Sequence, residues 1–291
     1  MRAHILLVAS LASIACAMPG EQLELEEGTI SQGGMYPPLS EEALERCAKA
    51  TNCEVYHTER GDILRFKRGY EPGTAEFNAT FADELALSAS VKDSGLPYNL
   101  TALEAASPDV SKRQINWGTE FSSGKWRTDF GALNPWDAFV KIWDMCQERS
   151  CYTGRYQVGT SFLHGMSWDN GNLDLYANGE YPGWDARNKF AELIMAACQK
   201  NQNWWQAQGC LPPRIGVCTE ARWVCNAPNY YSASRWGPNG EFGGFMNIVV
   251  ENNNNGGYDS CAGVVDQLNS LVGAINGWGG YFFGSLKMFC R

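Results

Sequence analysis

The sequence predicts an α+β protein: a disulfide-stabilised antiparallel sheet with two or three helices, arranged in part as two similar strand-turn-helix units. Three observations carry that prediction. Short apolar runs bounded by Gly, Asn and Pro occur at Tyr156 to Leu163, Leu173 to Ala177 and Phe245 to Val250. Two later stretches repeat apolar residues at helical spacing, and ten of the eleven cysteines follow residue 17, an even number suited to cystines.

The chain opens with Arg2, an apolar stretch from Ile5 to Ala15 and the small-x-small sequence Ala15-Cys16-Ala17. That order is the logic of an export signal cut after Ala17, and the apolar stretch is shorter than the ~20 residues a membrane helix needs. No later run reaches that length, so the expectation is a secreted, extracellular product with no membrane span. Disulfides persist in that compartment.

A second boundary falls at Lys112-Arg113. Residues 18–113 hold 17 Asp plus Glu against 9 Lys plus Arg, a net of −8, and no tryptophan; residues 114–291 hold 15 against 13, a net of −2, and all eleven tryptophans. Cys47 and Cys53 precede the basic pair, while Cys146, Cys151, Cys198, Cys210, Cys218, Cys225, Cys261 and Cys290 follow it. The extended, polar stretch after Ser107-Pro108 suits a protease cleft. The expected organisation is a signal peptide at 1–17, an acidic pro-segment at 18–113, and a mature disulfide-rich α+β domain at 114–291.

Within the pro-segment, Ser40 followed by Glu41 and Glu42 predicts a capped helix to about Ala50, because a hydroxyl and early carboxylates satisfy its first N–H groups. Ile63 to Phe66 reads as a strand, and Cys47 with Cys53 ties helix to strand. A small folded unit at about 40–80 is expected, followed by a looser stretch. The second basic pair, Lys67-Arg68, is expected to be protected beside that strand. Asn78-Ala79-Thr80 and Asn99-Leu100-Thr101 are glycosylation sequons, both before Lys112-Arg113.

In the later part, Asn134-Pro135 starts a helix over Trp136 to Trp143 that presents Cys146 at its end. Strands at Tyr156 to Leu163 and Leu173 to Ala177 flank a turn at Trp168-Asp169-Asn170-Gly171-Asn172, where Asn-Gly favours reversal. Asp185 reads as the N-cap of a helix to about Gln199, with Phe190, Leu193, Ile194 and Ala197 on one face and Cys198 pinning its end. The plan repeats as strand Phe245 to Val250, cap Asp259 and a helix to Ile275, although chance likeness of two ordinary units explains the repeat slightly better. Tyr281 to Phe289 closes the sheet. Eight cysteines do not dictate their pairing; Cys146 with Cys151, Cys218 with Cys225 and Cys198 with Cys261 are candidates, with Cys290 anchoring the last strand.

Chemistry is sparse. His164 is the one histidine after Lys112-Arg113, no Cys-x-x-Cys pairs occur, and no metal or other cofactor is called for. A Ser-His-Asp set would need His164 beside Ser161 or Ser167, without a Gly-x-Ser-x-Gly elbow. Paired carboxylates for glycoside hydrolysis are available in Asp174, Glu180 and Asp185, or in Glu241, Glu251 and Asp259. Asp185 and Asp259 are better read as caps. A mildly acidic domain with no basic cluster disfavours nucleic acid. Most tryptophans suit packing against cystine, whereas Trp168, Trp184 and Trp236, in turns rich in Asn, Gly and Pro, are the candidates for an exposed binding surface.

Ala15-Cys16-Ala17, Lys112-Arg113 and the eight later cysteines together resemble, across the whole chain, the layout of fungal secreted cysteine-rich proteins. These include plant-pathogen effectors and killer toxins made with a pro-segment cut by a kexin-type protease. The resemblance implies a host- or competitor-directed protein that acts by binding a cell-surface protein or glycan, without a catalytic residue. The alternative is a secreted carbohydrate-binding protein or glycoside hydrolase; an enzyme is the less favoured of the two.

Overall fold

The computed structural model describes residues 36, 38–90, 117–124, 126–210 and 220–252, together with the backbone of strands at 255–258 and 285–290. The signal, Ala17, Asn99, Lys112, Arg113, Cys218, Cys261 and the second predicted helix lie outside the described residues.

The front segment builds a small αβ layer. Helix α1 (Glu41–Lys49) starts where Ser40 Oγ accepts the Ala43 N–H at 3.1 Å, as its sequence predicts. A Cys47–Cys53 disulfide joins it to β1 (Cys53–Thr58), which pairs antiparallel with β2 (Gly61–Phe66). The hairpin turns at Glu59-Arg60, and Gly61 follows at φ 122°, a conformation that L side chains rarely adopt. Lys67 and Arg68 follow β2 with exposed side chains, the Lys67 N–H donating to the Asn52 carbonyl at 3.0 Å. Helix α2 (Ala75–Thr80) ends the expected folded unit, and α3 (Ala82–Ser90) occupies the start of the stretch expected to be looser. They are ordered by burial of Phe77 and Phe81, whose rings meet Phe66 at 5.2 and 5.7 Å. Asn78 is exposed on α2.

The later part continues with β3 (Gly118–Ser123), β4 (Trp126–Gly131) and two short helices, α4 (Pro135–Phe139) and α5 (Ile142–Met145). Asn134 caps α4 as predicted, through Trp136 N–H, but the expected single helix breaks at Val140-Lys141. Next come β5 (Arg155–His164), β6 (Ser167–Glu180) and α6 (Gly183–Lys200). The chain ends with β7 (Asn203–Gly209), β8 (Glu220–Pro228), β9 (Tyr230–Trp236), β10 (Phe242–Glu251), β11 (Asn255–Tyr258) and β12 (Ser285–Cys290).

Strand exceeds helix in this mixed fold, and antiparallel pairing dominates, as the sequence predicts. A six-stranded sheet runs β12-β3-β9-β10-β6-β5, with a parallel pairing between β12 and β3; a four-stranded sheet runs β11-β4-β8-β7. Helix α6 lies on the inner face of the larger sheet. Phe190, Leu193, Ile194 and Ala197 pack there with Leu173, Leu175 and Ala177 of β6 and Met246, Ile248 and Val250 of β10. Phe130 of β4 and Ala227 of β8 join the same core, so α6 is held between the two sheets.

Two local readings change. The expected turn at residues 168–172 is strand: β5 and β6 reverse at Gly165-Met166, and Asn170-Gly171 pairs with Ser161 and Thr160. Gly171 is needed there because a Cβ would come within 2.8 Å of the Phe162 ring. Asp185 is not a cap. It lies in the first turn of α6 and forms a 2.6 Å ion pair with Lys189, both side chains buried.

Candidate functional site

Strict alternation along β6 sends Leu173, Leu175, Ala177 and Gly179 to the α6 side and Asp174, Tyr176, Asn178 and Glu180 to the outer side. Register extends that outer face across neighbouring strands. Glu120, Ser234, Phe245 and Glu180 form one row through β3, β9, β10 and β6; Ser122, Ser232, Asn247 and Asn178 form the next. Tyr230, Val249 and Tyr176 follow, and then Glu251 lies opposite Asp174. The result is a polar and aromatic surface on a rigid sheet.

The front segment covers it. Tyr36, Ala43, Leu64 and Phe66 share a buried cluster with Tyr230, Trp236, Phe242, Phe245 and Val249. Arg46 donates to Glu120 at 2.6 Å, Arg60 pairs with Glu251, and the Phe66 N–H donates to Glu180 at 3.2 Å. Asn52 exchanges two 2.8 Å hydrogen bonds with the Phe242 backbone. On the α6 side of the sheet, Arg235 donates to both carboxylate oxygens of Glu84 on α3 at 2.6 and 3.0 Å, and Ser88 Oγ accepts the Trp184 backbone N–H at 2.5 Å. Burial pushes the Glu180 carboxyl above its ordinary range, against the Phe66 hydrogen bond and the charge of Arg65.

The predicted carboxylates divide differently from expectation. Asp174 and Glu251, assigned to separate units, are cross-strand neighbours on one face, a geometry that puts Cβ atoms ~4.5–5.5 Å apart. Glu180 lies six residues along β6 from Asp174, ~20 Å at strand rise, so it does not join them. Glu241 takes the Asn239 N–H at a turn, and Asp259 lies outside the described residues. His164 pairs with Asp169 at 3.0 Å, while Ser161 and Ser167 bond Asn170 and Asp169, so neither serine is set up as a nucleophile.

The tryptophan assignment is corrected for Trp168, whereas Trp236 lies on the outer sheet face that the front segment covers. Trp168 and Trp236 are each 3 % exposed, and Trp184 is half-buried. Trp168 lies beneath β7 and β8 and donates to the Glu220 carbonyl at 3.2 Å; Trp236 packs on Phe242 under the front segment. Among the described residues Trp204, Trp205 and Trp223 are the exposed tryptophans, two on β7 at the edge of the smaller sheet and one on β8 beside it. Tyr176, Glu120, Arg46 and Arg60 escaped sequence reasoning, although the polar alternation of residues 174–180 was a usable signal for the face itself.

Cysteines also depart from full pairing. Cys146–Cys151 is bonded as proposed, and Cys210 is also disulfide-bonded. Cys198 and Cys225 are buried free thiols, which excludes their proposed bonds to Cys261 and Cys218. Burial pushes the Cys198 thiol up to about 12 and the Cys225 thiol higher still, so both remain protonated. No helix among the described residues is long and apolar enough to cross a membrane. No protein-family model matches the chain, and neither a curated protein nor a solved structure does.

Proposed function

We propose that the chain is the precursor of a secreted, cysteine-rich binding protein of the effector or toxin kind, whose target-binding face is kept covered by residues 36–90 until the chain is cut after Lys112-Arg113. The observation that carries this reading is the cover itself. Residues on the outer face of a six-stranded sheet meet the earlier chain through ion pairs, hydrogen bonds and a shared aromatic cluster. The cut would fall in the chain between α3 and β3, so it severs the cover from the sheet without touching either. The target is a host or competitor surface protein or glycan, and the cut belongs to a kexin-type protease.

The test is secretion of an epitope-tagged chain, N-terminal sequencing of the product, and application of cut and uncut protein to target cells. A new terminus at Gln114 and a response confined to cut material are expected, and Lys112→Ala with Arg113→Ala abolishes both. A product that starts at residue 18 and acts fully without the cut overturns the reading. The carbohydrate alternative keeps one specific support, the Asp174 and Glu251 carboxylates beside Tyr176. Hydrolysis of a polysaccharide by cut protein, lost in Asp174→Asn, would select it.

A further inference from the structure

We infer that the slot formed by Tyr176, Glu251 and Asp174 is an arginine-binding site, and that the mature protein's target is a protein presenting an arginine at a projecting turn. The inference rests on the proposed reading of a covered face and names the chemistry of the partner. The intramolecular occupant supplies the argument. Arg60 stands in the two-residue turn of the β1–β2 hairpin, with its guanidinium carbon 3.5 Å from the centroid of the Tyr176 ring and its Nη1 donating to Glu251 Oε1. Burial works against the Arg60 charge, and Glu251 together with Tyr176 more than offsets it. A flat ring below and a carboxylate at the edge fit a planar, forked cation better than a compact ammonium.

The hairpin holds that arginine ready. Thr58 Oγ1 donates to the Gly61 carbonyl at 2.6 Å and accepts the Arg60 N–H at 3.2 Å, while the Tyr36 N–H donates to the Arg60 carbonyl at 2.6 Å. Charge complementarity extends beyond the slot. The front segment is acidic overall, yet it meets Glu120 with Arg46 and Glu251 with Arg60; at Glu180 its Arg65 is offset by Glu54 and Glu71. Cleared of that cover, the face carries Glu120, Glu180, Asp174 and Glu251 against Arg155, which lies 3.6 Å from Asp174. An acidic, aromatic surface of this kind selects a basic protein partner that displaces the hairpin.

The test uses the uncut full chain, so it does not depend on processing. Arg60→Ala opens the slot, and the side chains it leaves are within reach of solvent, Arg60 being 30 % and Glu251 22 % exposed. N-acetyl-arginine amide at about ten times its dissociation constant should raise the melting temperature of Arg60→Ala by ~1–3 °C. Wild type, whose slot is filled, should not shift, and neither should the Arg60→Ala/Glu251→Gln double variant nor Arg60→Ala with the neutral N-acetyl-citrulline amide. Arg60→Gln serves as the acceptor if the alanine variant fails to fold. No shift with the arginine amide, or an equal shift with citrulline, overturns the arginine site. Arginine rescue in a chain that proves never to be cut overturns only the precursor reading.

Discussion

Glu84 and Arg235 form a forked ion pair, with side chains 7 % and 0 % exposed, linking α3 to the strand that carries Trp236. The Arg235 guanidinium also lies 4.0 Å from the Trp117 ring centroid, so its charge is desolvated and depends on Glu84. Removing one partner of such a pair leaves a buried charge, and Glu84→Gln should cost ~3–5 kcal/mol in urea unfolding. Glu192 on α6 supplies a pH dependence. Burial, and then Asp185, raise its carboxyl from 4.5 to about 8, with Lys189 opposing. The folded chain therefore holds this proton more tightly than the unfolded one. The stabilisation is complete below pH 4.5 and is lost as pH rises through about 8. Melting temperature should fall from about pH 6 to about pH 9, and Glu192→Gln should flatten that fall. The thiols give a third measurement: alkylation with peptide mapping should label Cys198 and Cys225 after unfolding without reductant, and neither in the native chain.

At the scale of elements, the β1–β2 hairpin is docked by Asn52, whose amide satisfies both the N–H and the carbonyl of Phe242 inside the core. Asn52→Ala strands two buried peptide groups and should lower stability by ~2–4 kcal/mol in the same urea assay, where Asn52→Asp keeps only the acceptor and restores part of the loss. Local chemistry made some elements legible. Ser40 and Asn134 announce helices because a side-chain oxygen beside orphan N–H groups is a short-range interaction. The apolar face of α6 was equally readable. Asp185 and Asn170-Gly171 misled because tertiary packing overrode local preference: Lys189 claimed the carboxylate, and Phe162 required a glycine beneath it. The binding face was half legible. Alternation along β6 marks two sides, but nothing local in Arg46 or Arg60 says which distant glutamate each will meet. The exposed tryptophans were missed because burial depends on sheet order, which places β7 at an edge.

At the scale of the molecule, residues 33–291 group as one compact unit, with the front segment forming a layer of it. Its described cystine, Cys47–Cys53, is internal, and the contacts described across the boundary are noncovalent. A chain cut after Arg113 should therefore separate into two pieces on a urea column without reductant; fragments that stay joined there would show a covalent link across the boundary. The parallel pairing of Ser285–Cys290 with Gly118–Ser123 sets the order of assembly. More than 160 residues of chain separate those partners, so β3 leaves the ribosome long before its outer neighbour exists. During that interval one backbone edge of the strand is unmet, while the αβ layer already synthesised ahead of it is available to shelter the outer face of the sheet.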